Sequence, residues 1–293
     1  MFLAYGQYIK PTLADGIDGL IDKALKGAGL TRQLETLGQA MLYSIPEDAL
    51  PDKKIKNEAS AFVSRSANRE TVISLVRTSV KEDLEADTLD KIVQFYDSRV
   101  GKKVGAAMAE GLGPSSIRKV REGRKLLTSL SEARIETLRQ IVAAQSIVKT
   151  NAELLQTTIH GLIDGSLSEG TDSARVEEMK ARVKVIEAAI LAGKQRTEET
   201  ALISCAHAFR TLDDDELHGV ASFYESEPAQ RFQRAVRRGL ERAVYTTARA
   251  LGEVASKPPA TSRSRGDGAP KEQSHQMGGS EDAPGLDATP AGE

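Results

Sequence analysis

Cys205 and His207 are the residue types of a nucleophile and its base, and they stand two positions apart. In the helix that the surrounding pattern predicts, i and i+2 project about 200° apart, so the two cannot meet locally as a dyad. The other histidines, His160, His218 and His275, show neither the His-Glu-x-x-His frame nor an i, i+4 pair that would seat a metal. Cys205 is the only cysteine, which excludes an intramolecular disulfide and a cysteine-based zinc site. The run Asp213-Asp214-Asp215 lacks the glycine and distal glutamate of a calcium loop. Asp213 followed three residues on by Glu216 has the form of a helix capping box. No glycine-rich phosphate loop of the nucleotide-binding types occurs. The residues thus point away from an enzyme and indicate no cofactor and no metal.

Two other constellations carry more structure than chemistry. Phe95-Tyr96-Asp97-Ser98 and Phe223-Tyr224-Glu225-Ser226 share a Phe-Tyr-acid-Ser frame, with Gly101 three residues past the first serine. A helix ending in Phe-Tyr can bury the Phe against the next helix while the Tyr hydroxyl stays near water or a backbone partner. Ser98 and Ser226 are placed to accept from the first free N–H groups of that next helix, and Gly101 to let the helices approach. The motif is therefore expected to be a structural corner, with a groove around the Tyr hydroxyls as its functional alternative. Downstream, Arg231, Arg234, Arg238 and Arg242 fall on one helical stripe, with Phe232, Val236 and Leu240 elsewhere on the helix. Such a stripe is a solvated face or a candidate anion-binding surface for lipid headgroups or nucleic acid. Lys102, Lys103, Arg118, Lys119, Arg121, Arg124 and Lys125 form a comparable basic set after the first corner.

These motifs sit in a chain that repeats itself. Residues 73–112 align without gaps on 201–240, an offset of 128, with nine of 40 positions identical and the apolar phase kept elsewhere, as at Ile92/Val220 and Val104/Phe232. Upstream, Ile17, Leu20, Ala24, Leu30, Leu34, Leu37 and Met41 fall on Ile135, Leu138, Val142, Val148, Ala152, Leu155 and Ile159 at an offset of 118. Their steps of three and four trace one face of a helix. A tandem duplication predicts that each unit supplies part of a shared helical core. The boundaries that follow are unit one with its basic linker helix over 1–128, unit two over 129–255, and a tail over 256–293.

That tail has no aromatic residue, holds five of the ten prolines and six glycines, and is expected to be disordered. The other 255 residues carry 36 Lys and Arg against 36 Asp and Glu, which argues against a dominant polyanion-binding role while leaving local patches. No Trp, 4% aromatic residues and abundant Ala, Leu, Glu, Lys and Arg favour helices. No run of 18 apolar residues is present to span a bilayer. The first seven residues lack a basic and then apolar leader, so the chain as written is expected in the cytoplasm.

Helices are expected over Pro11 to Lys26, Leu30 to Tyr43 and Ala59 to Leu84, with Pro46 to Lys56 a connection. Asp87 is a candidate cap for a helix to Tyr96, and Ser98 for one to Gly111. A basic helix follows over Pro114 to Thr128, then one long periodic segment over Glu132 to Ile163, whose apolar stripe Gln145 interrupts. The rest reads as a helix with Val176, Met179, Val183, Ile186 and Ile190 on one face, a helix from Gly193 to Leu212, one from Asp213 to Tyr224, and a long last helix from Pro228 to Ala255.

At its Phe-Tyr-x-Ser elements the sequence resembles the bacterial domain of unknown function family 2059, whose members carry a helix ending in Phe-Tyr-x-Ser-Pro-x-Gly followed at once by a second helix. The stretch Phe95 to Gly101 keeps that frame with Arg99 at the proline position; the second copy moves the proline by one, to Pro228, and has Ala229 in place of the glycine. The likeness covers roughly 40 residues per copy. It implies an all-helical, usually exported protein without assigned chemistry, and on that pattern an exported or periplasmic location.

The expected molecule is all-α, two tandem helical-repeat units of antiparallel helices plus a disordered C-terminal tail. Its expected role is that of a non-enzymatic scaffold or protein-interaction module whose partner is another protein, an anionic surface being the alternative.

Overall fold

Eleven helices, and no strand, are bounded among the described residues, which are 16–32, 34, 57, 61, 68–110, 116–167 and 173–255 of a computed structural model. In chain order they are α1 (Ile17–Gly27), α2 (Arg69–Asp83), α3 (Ala86–Asp97), α4 (Arg99–Glu110), α5 (Ser116–Leu127), α6 (Glu132–Ala144), α7 (Ile147–Ser166), α8 (Ser173–Ala192), α9 (Lys194–Ala208), α10 (Asp214–Glu225) and α11 (Glu227–Ala255). The protein is all-α, and the described residues belong to one compact unit. The expected connection over 46–56, most of the helix from 30 to 43 and the tail from 256 lie outside the described residues.

Local sequence sets most helix ends. Asn68 caps α2 by accepting from Thr71 N at 2.9 Å, and Ser131 caps α6 from Arg134 N. Asp213 and Glu216 form a complete capping box at the start of α10, with bonds of 2.8 and 3.3 Å. Asp87 lies in the first turn of α3 rather than at its cap, which is Glu85.

The single segment expected over 132–163 is two helices. Ser146 takes a left-handed backbone, φ 52°, and turns the chain between α6 and α7. The carbonyl freed at Ala144 is satisfied by Gln230 Nε2 at 2.7 Å, which also bonds Tyr224 O at 2.6 Å. Tertiary bonding to the α10–α11 corner thus supports a break that helical periodicity alone does not report.

Several helix bounds recur at the 128 offset. α3 and α10 are 12 residues each and shifted by 128 at both ends, and α4 and α11 begin 128 apart. α4 and α5 together occupy the register of the single 29-residue helix α11. Packing follows the same pattern: α1 lies on α3 and α6 on α10. The next layer is exchanged between halves, since α2 packs on α11 while α9 packs on α5 and α4. The α2–α11 contact is flush; a Cβ at Gly239 would stand 2.5 Å from Val76 Cα. One core therefore runs across residue 128, joining Ile21, Val72 and Ile92 to Leu138, Leu217 and Val220. Burying such aliphatic side chains contributes about 1.5–3 kcal/mol each.

Candidate functional site

The two Phe-Tyr-x-Ser corners meet at the centre of this core. Ser98 Oγ accepts from Gly101 N at 3.0 Å, and Ser226 Oγ accepts from Ala229 N at 3.4 Å while donating to Phe223 O at 2.6 Å. A Cβ on Gly101 would lie 1.9 Å from Phe95 O, so the first corner requires glycine; the second holds Ala229 buried. Phe95 and Phe223 stack face to face, ring centroids 3.5 Å apart and 4° from parallel. Gly27 of α1 packs on the Tyr96 ring.

Burial within the motif is the reverse of the expectation. Tyr96 and Tyr224 are 6% and 4% exposed, whereas Phe95 and Phe223 are only partly buried. Leu89, Ile92, Val93 and Tyr96 recur at i, i+3, i+4 and i+7, as do Leu217, Val220, Ala221 and Tyr224, so the helix turns the tyrosines inward. The phenylalanines fall one position off that stripe, where each covers the other. The two phenols interact with each other across the corners, and that of Tyr224 also with the Gln145 side chain. Burial holds the Tyr96 phenol well above its ordinary value and pushes that of Tyr224 up to about 12. Gln145 belongs to this site and was visible in the sequence only as a polar break in an apolar stripe.

Three arginines of the stripe turn to the end of α2. Arg231 donates to the Asp83 carbonyl at 2.7 Å, Arg238 pairs with the Asp83 carboxylate at 2.8 Å, and Arg242 pairs with Glu82 at 2.9 Å and bonds buried Ser79 at 3.2 Å. These three cations serve the C-terminal end of α2, where free carbonyls and acids favour positive charge. Arg234 alone of the four is exposed without such a bond among the described residues.

The titratable residues are dispersed. Cys205 is buried, and burial pushes its thiol up to about 12, so it is no nucleophile at neutral pH. His207 faces Glu122 at 3.2 Å, His160 faces Glu187 at 3.6 Å, and His218 bonds Asp214 O and Thr137. His275 lies outside the described residues. Glu216, almost fully covered, meets Lys103 at 2.8 Å and Arg99 at 2.7 Å. The Lys103 ammonium, bonded to both of its oxygens, holds its carboxyl below the ordinary range. Arg134 bonds Asp214 and the Phe209 and Leu212 carbonyls, fastening the α9–α10 turn to α6. Its role is not readable from sequence, since its partners lie 75 to 80 positions away.

The surface with unmet packing is α8. Ala181, Val185, Ala188 and Ala192 follow at steps of four, three and four, all exposed, and Leu191 borders them. Val185 is 70% and Leu191 74% exposed. In sequence the opposite face is also apolar, carrying Val176, Met179, Val183, Ile186 and Ile190, and the helix packs on α7 and α9. α8 therefore has, in sequence, apolar residues on two faces, and Val183 on the second is partly buried.

No family model, no curated protein and no solved structure matches this chain.

Proposed function

We propose that the protein is a non-enzymatic helical scaffold that engages another protein through the outer face of α8. The observation that carries this reading is the two-faced apolar character of α8. A helix apolar on both sides is normally buried between two neighbours, and contiguous exposed apolar surface marks interaction sites. Small alanines around Val185 permit close approach by a partner helix, with Val185 and Leu191 as the anchors.

The test is cross-linking capture with the wild-type chain and with Val185→Glu/Leu191→Glu. Both side chains are largely exposed, so the variant should melt as the parent does, within about 0.5 kcal/mol per surface change. The expected result is a protein captured by the parent and lost with the variant. Equal capture by both chains, or capture by neither, would refute the reading; loss of self-association alone would make the partner a second copy.

A further inference from the structure

We propose that the cleft between α4, α5 and α9 is a binding site for a small phosphate monoester, seated between Lys119 and Arg210. The cleft holds about 330 Å³, at the small end of ligand pockets. One face of α4, one face of α9 and the start of α5 wall it, with Ala106, Ala107, Val120 and Ala208 as its apolar lining.

Its chemistry emerges by comparison with the junction of α2 and α11, which occupies the corresponding register 128 positions away. There Glu82 and Asp83, in the last turn of α2, meet Arg242 and Arg238, and Arg231 bonds the Asp83 carbonyl. That junction is flush and its charges are matched within the chain. At the cleft, the positions of Glu82 and Asp83 are taken by Arg210 and Thr211. Arg231 corresponds to Lys103 and Arg238 to Glu110. The two acids that answer the basic wall in one half are therefore a cation and a hydroxyl in the other. α9 also ends at Ala208, short of the α2 register, and the turn that follows presents Arg210 and Thr211 at the cleft, held there by Arg134.

Lys119 and Arg210 pair with no carboxylate among the described residues. Lys103 is engaged by Glu216. The Lys119 ammonium donates to the Glu110 carbonyl, and Arg210 Nη1 donates to the His207 carbonyl at 2.7 Å. His207 is turned to Glu122, and Ser204 donates back to Thr200, so neither is counted as a donor to a ligand. Among the described residues, the rest of the Lys119 and Arg210 donors and the Thr211 hydroxyl have no further partner, against the single lining carboxylate of Glu110. A forked guanidinium beside an ammonium and a hydroxyl suits the several oxygens of a phosphate, and the alanine-rich wall suits a small uncharged body attached to it. The volume suits one small phosphorylated group as the seated body.

Isothermal titration of the full chain with phenyl phosphate, inorganic phosphate and benzoate tests this. Phenyl phosphate should bind, inorganic phosphate more weakly, and benzoate not measurably. Arg210→Gln and Lys119→Gln should each weaken phenyl phosphate about tenfold or more, and Arg234→Gln should leave it unchanged. Unaltered melting temperatures establish that the variants fold. Absence of binding at millimolar phenyl phosphate, equal binding of benzoate, or affinity that survives both cleft substitutions would overturn the proposal.

Discussion

The buried tyrosine pair predicts a coupling that a double-mutant cycle can read. In Tyr224→Phe the Tyr96 hydroxyl and the Gln145 side chain both lose the hydroxyl they face, in a place where Gln145 Oε1 already has no partner among the described residues. Each buried polar group left unpaired costs about 1–3 kcal/mol, so Tyr224→Phe should destabilise by roughly 2–4 kcal/mol. Tyr96→Phe removes one bond and leaves Tyr224 with Gln145, at a cost of about 1–2 kcal/mol. In the double variant both hydroxyls are gone and only Gln145 remains unpaired, so its loss should be about 2–3 kcal/mol, below the sum of the singles. Urea denaturation of the four proteins at neutral pH gives the cycle, with unchanged m-values required for the comparison. Additivity within about 0.5 kcal/mol would refute a hydrogen-bonded pair, because independent sites add to that tolerance. A Tyr224→Phe variant as stable as the parent would show that the tyrosine contributes only its ring.

The same pair sets an alkaline limit. Both phenols titrate higher in the fold than their ordinary value of 10, so their contribution is complete below pH 10 and is lost as pH rises toward and through about 12; melting temperature should fall across that window, and less so in the double Phe variant. Two helical glycines should respond oppositely to alanine. Gly101→Ala places a Cβ 1.9 Å from Phe95 O and should destabilise by about 1–3 kcal/mol, while Gly219→Ala meets nothing within 4 Å and should stabilise by up to about 1 kcal/mol in the same denaturation assay.

Sequence legibility follows the range of the interaction. Local chemistry is readable: the capping box at Asp213, the serine acceptors at Ser98 and Ser226 and the helix starts depend on residues three apart. Periodicity also contained the inward turn of Tyr96 and Tyr224, through the steps from Leu89 and Leu217, but the greater hydrophobicity of Phe favours the opposite assignment. That preference fails here because the tyrosine hydroxyls find each other across the duplicated corners, a pairing 128 residues long in sequence. The same distance hides the fate of the arginine stripe. Arg231, Arg238 and Arg242 form a clean basic face in sequence, and only the exchange of α2 onto α11 brings Asp83 and Glu82 against it. The break at Gln145 is similar, since its support comes from Gln230, 86 positions from the carbonyl it satisfies.

The α2–α11 junction and the α9 junction with α4 and α5 lie in corresponding registers of the sequence but do not present equal surfaces. At the first junction α2 lies on the long helix α11, at the second α9 lies on α4 and α5, and the charges that meet at each come from segments distant in sequence. Substitution in either copy therefore alters one junction without touching its counterpart. On the α2–α11 side, acids at the helix end oppose arginines, and a short charge-assisted ladder closes the interface. On the α9 side, Arg210 and Thr211 stand where those acids would be, α9 stops short and α5 is separate from α4. Closing that side would set Arg210 against Lys119 and Lys103 with Glu110 as the one lining acid, which like-charge repulsion disfavours. The open cleft and its scarcity of acids are thus one property: at the second junction the described residues set two cations, Lys119 and Arg210, against the single carboxylate of Glu110.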